Sequence, residues 1–159
     1  MIPVSRLTIA GLWRTGERCD DGSLRTARHS WDFVVDGVSL RSHWQDRDLA
    51  GVLGWGRADV EREAAAKLRG DARPDYLPNR VAIFVCPECG DLGCGAVTVG
   101  VTREEEMVTW NDFRWEVNWF ADRPDESTVY YEVGPFRFGY DTYVKVLSQA
   151  LSQRPDAGS

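Results

Sequence analysis

Two apolar runs bracket a stretch dense in cysteine and glycine, and this arrangement constrains the chain more than any other. Residues 80–101 read RVAIFV, then CPECGDLGCG, then AVTVGV. An apolar, β-branched run such as Arg80–Val85 reads as a buried strand, and Ala96–Val101 as its partner. The residues between them must reverse the chain. Pro87 fixes φ where the turn starts, and Gly90 accepts the left-handed conformation that closes it.

The same stretch holds Cys86, Cys89 and Cys94, three of the chain's four cysteines. Two thiolates three residues apart reach one ion if the chain turns sharply between them, and a hairpin tip brings Cys94 back beside Cys86. Structural zinc takes four protein ligands in a tetrahedron. The expected metal set is therefore Cys86, Cys89 and Cys94 with Cys19 as the fourth donor from a loop. His29 is the runner-up and His43 a further candidate. If none closes the shell, water would be the fourth ligand and a catalytic site becomes conceivable. Two other readings stay open: a metal-free tip whose thiols are small hydrophobes, and a redox-active thiol.

Sharper motifs fail on spacing or context. A thioredoxin C-x-x-C opens a helix, whereas here GDLGCG and a β pattern follow. Zinc deaminases carry H-x-E and P-C-x-x-C, but the chain reads C-P-E-C and neither histidine has Glu two residues on. Gly90, Gly93 and Gly95 reverse the dinucleotide-loop spacing, and Gly51, Gly54 and Gly56 fail likewise. No P-loop, G-x-S-x-G or H-E-x-x-H occurs.

Alternation predicts strands at Leu7–Trp13 and Trp31–Val35. A tight turn at Asp36-Gly37 follows, with a return through Val38, Leu40 and Ser42. Residues 15–29 read as a long polar loop carrying Cys19 and His29. Residues 45–56 are ambiguous, since Leu49, Val52 and Leu53 have helical spacing among breaking glycines. Trp44 and Trp55 there are candidates for an exposed, mobile binding segment. Residues 58–69 predict a surface helix with a Val60, Ala64, Leu68 stripe, stopped by Gly70. Met107–Phe120 predicts one strand or a pair, with a bulge or turn at Asn111-Asp112 and Trp115, Val117 and Trp119 on one face. Trp110, Trp115 and Trp119 read as a core stripe, and Glu104–Glu106 as a solvated turn. Thr128–Val133 predicts a further strand. Asp141 can cap a C-terminal helix whose face is Tyr140, Tyr143, Val144, Leu147, Ala150 and Leu151.

The expected fold is α+β: an antiparallel-rich sheet of about six strands with two or three helices, one of them C-terminal. The 159 residues suit one domain over 1–153 with a flexible tail over 154–159. A net charge of −6 argues against general nucleic-acid binding and against an anionic membrane surface. The N-terminus has no signal-peptide pattern, which places the expected chain in the cytoplasm, where thiols stay reduced.

The segment Trp31–Gly37 (WDFVVDG), the stretch CPECGDLGCGAVTV, and Gly134-Pro135-Phe136-Arg137-Phe138 before a terminal helix resemble a family of small uncharacterised actinobacterial (Streptomyces-type) proteins. The resemblance covers most of the chain. Members are sometimes loosely labelled oxidoreductase, but the resemblance implies no catalytic residues. The leading functional expectation is a binding or regulatory module, working through a protein partner (an immunity-type role fits) and carrying a structural zinc. The alternative is a thiol- or zinc-dependent, oxidoreductase-like enzyme using Cys86, Cys89 and Cys94.

Overall fold

The computed structural model describes residues 2–117 and 129–155. Strands β1 (Val4–Ser5), β2 (Leu7–Arg14), β3 (Glu17–Arg18), β4 (Leu24–Arg25), β5 (Arg28–Val35), β6 (Val38–Ser39) and β7 (Ala50–Gly51) come first. Helix α1 (Ala58–Arg69) separates them from β8 (Arg80–Val85), β9 (Ala96–Glu104), β10 (Met107–Glu116) and β11 (Phe136–Gly139), and α2 (Tyr140–Ser152) follows.

The apolar run of β8 is buried along its whole length, as a strand covered on both faces requires. It lies inside a six-stranded sheet ordered β1-β11-β10-β9-β8-β7. The expected α+β class holds, with two α-helices among the described residues, including the C-terminal one. The sheet itself is mixed: β1 pairs parallel with β11, while the other neighbours are antiparallel. A second sheet, β2-β5-β6, and a two-stranded ribbon, β3-β4, complete the strands among the described residues. The segment around β7 joins the sheets, since Trp31 N–H donates to Leu53 O (2.9 Å) and Gly51 N–H to Ser30 Oγ (2.9 Å).

Several local expectations hold for local reasons. Asp36 (φ 50°) and Gly37 (φ 81°) both take the positive φ that a two-residue hairpin demands. The register slips between Asn111 and Arg114, with Asp112 at φ 59°, so the interruption in β10 is a bulge. Glu105 and Glu106 form an exposed turn between β9 and β10, with the exposed Glu104 the last residue of β9. Tyr143, Leu147 and Ala150 of α2 face the core, and Tyr143 Oη donates to Leu68 O (2.6 Å) while accepting from Trp110 Nε1 (3.0 Å).

Other expectations are corrected. The return strand after Gly37 stops at Ser39, because the buried Asp32 carboxylate accepts from Ser39 Oγ and Arg41 N–H and turns the chain into a 3-10 turn at Arg41–Trp44. That turn drives Trp44 inward. It is 1% exposed, against Phe84, Phe113 and Tyr130, and is not a mobile binding residue. Residues 15–29 are not one loop, since β3 and β4 pair within them. In α1 the buried face is Glu61, Ala64, Ala65 and Leu68, and Val60 points outward. Glu61 sets that rotation by accepting from Gly54 N–H and pairing with Arg154 (2.7 Å). Arg154 is thus tied to the domain, while residues 156–159 lie outside the described residues. Of the expected strand Thr128–Val133, the described residues 129–133 make a bridge at Val129 to Arg114 before the chain turns, and Thr128, Trp119 and Phe120 lie outside the described residues.

Candidate metal centre

The chain leaves β8 at Val85 and reverses within the next few residues. Gly90 N–H donates to Cys86 O (2.8 Å) and closes the first turn. Asp91 then caps a 3-10 turn at Leu92–Cys94, its carboxylate accepting from Gly93 N–H (2.8 Å). Gly95, at φ 100°, swings the chain into β9, where a Cβ would come within 2.2 Å of Trp115 Cζ2. Only glycine fits under that indole.

This double turn gathers Cys86, Cys89 and Cys94. Their sulfurs all lie within 4.8 Å of one another, with Cys89 Sγ and Cys94 Sγ 3.4 Å apart. Cys89 and Cys94 are exposed and Cys86 is half-buried. Asp91 N–H points at Cys89 Sγ (3.4 Å). Burial alone pushes the Cys86 thiol up, but the Cys89 and Glu88 N–H groups and the two neighbouring thiols outweigh it, and the net shift is downward. Cys94 moves the other way, to about 11, through its hydrogen bond with Cys89 and the charge on Cys86. Three thiols this close share negative charge poorly, and a cation among them removes the conflict.

A second layer clamps the tip from distant parts of the chain. Glu88 accepts from Thr26 N–H (2.9 Å) and from Arg14 Nη1 (2.7 Å), which lowers its carboxyl to about 2. Arg14 is itself buried and paired with Asp48 (2.8 Å). Arg28 donates to Pro87 O (2.7 Å) and Glu88 O (3.2 Å), and its guanidinium lies over the Trp55 ring at 4.3 Å. Trp55 in turn is anchored by Nε1–H to Gly51 O (2.8 Å) and packs on Gly90. Carbonyl and carboxylate contacts of this kind fix a ligand-bearing loop before any ion arrives.

The sequence-predicted ligands divide. Cys86, Cys89 and Cys94 come together, and Cys19 does not belong to the group. Cys19 sits in the β3–β4 turn, its N–H donating to Ser23 O (2.8 Å). The adjoining segment does reach the tip, through Thr26, but the thiol does not join the other three. His29 lies against Trp13 (4.7 Å between rings) and His43 against Trp44 (5.7 Å), and neither is in the group. Sequence reasoning missed Arg14 and Arg28, and it offered Trp55 only as part of an exposed, mobile binding segment, whereas Trp55 is half-buried against the tip. Glu88 was visible inside C-P-E-C, but nothing local marks an arginine 74 residues away as its partner.

Beside the tip lies a cavity of about 730 Å³ between α1 and β8, bordered by Val52, Ala64, Val81, Val85, Gly90 and Leu92. No family model, curated protein or solved structure matches the chain. No helix among the described residues is long and apolar enough to cross a membrane.

Proposed function

We propose that the chain is a binding or regulatory module of the reducing cytoplasm, acting through a protein partner, with a zinc ion held by Cys86, Cys89 and Cys94. The observation that carries this reading is the convergence of three sulfurs within 4.8 Å on a pre-clamped tip. All-sulfur donors favour zinc or another thiophilic ion over hard cations. What supports binding over catalysis is that Glu88, the carboxylate nearest in sequence, is already committed to Arg14 and Thr26, and that His29 and His43 lie outside the sulfur group. The exposed Trp13 and Leu24 offer apolar surface to a protein partner.

Zinc content and thiol reactivity of the purified chain test the reading together. The expected result is one zinc per chain, with the three clustered thiols slow to alkylate until a chelator is added. A metal-free chain whose thiols alkylate rapidly would sink it. The 3.4 Å contact of Cys89 and Cys94 favours thiol redox chemistry as the second reading. In that case the pair gives two electrons and two protons to an oxidant such as a peroxide and forms a disulfide.

A further inference from the structure

We infer that a metal ion held by Cys86, Cys89 and Cys94 keeps one coordination position for a thiolate supplied from outside the chain. This rests on the metal-site reading above. Among the described residues three donors converge, and a tetrahedral ion needs a fourth. The tip does not depend on a fourth protein ligand for its shape. Arg28, Glu88, Trp55 and Trp115 already hold it. Two of the three donors are exposed, so the ion is reached from solvent.

Charge and softness select the class of incoming ligand. Three sulfurs make the ion soft, and a fourth sulfur matches it better than oxygen. Zinc with three thiolates carries one net negative charge, and a fourth thiolate makes it two. A positive charge stands at the tip: the Arg28 guanidinium bonds the carbonyls of residues 87 and 88 and makes no ion pair among the described residues. The cavity that adjoins the tip at Gly90, Asp91 and Leu92 is lined by none of the three cysteines, and Asp59, Glu63, Lys67 and Asp75 share it with Val52, Val81 and Val85. The thiol binds as thiolate and releases its proton to solvent; no electron moves.

Cobalt(II) replaces zinc as a coloured reporter, because sulfur-to-metal charge-transfer absorbance scales with the number of bound thiolates. The cobalt-loaded chain is titrated with N-acetylcysteine, and separately with a short apolar peptide bearing one cysteine. The expected result is a saturable rise in charge-transfer absorbance of about one-third, four sulfurs replacing three. It is unchanged by Cys19→Ser. Equal affinity for the two probes assigns the position to free small thiols, and tighter binding of the peptide assigns it to a cysteine-bearing segment that also contacts the surface around the tip. An unresponsive spectrum, or four-thiolate absorbance that Cys19→Ser lowers by one-quarter, overturns the inference while leaving the metal site intact. A chain that takes up neither cobalt nor zinc overturns the metal-site reading itself, and this inference with it.

Discussion

Strand β9 ends in a hairpin turn on either side, and the two turns are built differently. At its start, residues 86–95 are fastened by Arg14, Thr26, Arg28, Trp55 and Trp115, drawn from four separate parts of the chain. At its end, Glu104, Glu105 and Glu106 project into solvent, and Glu105 takes a left-handed φ of 53° without a glycine. A turn that only reverses the chain needs polar residues and little else. A turn that must present three sulfurs at fixed separations needs a scaffold around it. The two turns thus differ in how far the rest of the chain holds them, quite apart from their cysteine content.

The largest stability effect should come from Gly95→Ala. It places a methyl group in Trp115 and a side chain at φ 100°, and we expect a loss of about 2–4 kcal/mol in denaturant unfolding. A loss below half a kcal/mol would mean that Trp115 does not hold the tip. Next, Arg14→Ala should cost about 1–2 kcal/mol. Arg14 is buried, but its partners Asp48 and Glu88 are nearly half exposed and their charges remain solvated.

Arg28→Ala should leave the fold intact and weaken zinc binding about tenfold, the usual scale for a group that orients ligands without touching the ion. Competition with a chelator dye measures this, and an unchanged affinity would break the link between clamp and site.

The proton dependence of the clamp follows from Glu88. Its folded pKa of about 2 lies below the ordinary 4.5. Its contribution to stability is therefore complete above about 4.5 and is lost as pH falls through about 2. In the metal-free chain, Glu88→Gln should flatten the stability profile across that window, as followed by unfolding at stepped pH. The smallest effect belongs to the other turn, where Glu104→Gln or Glu105→Gly should stay within about 0.5 kcal/mol of the parent.

What the sequence made legible was local. Pro87, Gly90 and the cysteine spacing disclose the first turn, Asp36-Gly37 the second hairpin, and Gly70 the end of α1, because each acts within a few residues of itself. The parallel pairing of Val4 with Arg137 and the inward turn of Trp44 were not legible. Both are decided by partners far along the chain, which periodicity does not register. The same limit governs the site. The three clustered sulfurs belong to one local turn, whereas adding Cys19 required knowing where the β3–β4 ribbon lies.

Zinc affinity across the four single Cys→Ser variants tests the central claim most directly. Cys86→Ser, Cys89→Ser and Cys94→Ser should each lose more than the roughly 10–100-fold expected of an outer-shell change, and Cys19→Ser should bind as the parent does. Retention of zinc by any of the first three, or its loss from Cys19→Ser, would contradict a site made of Cys86, Cys89 and Cys94.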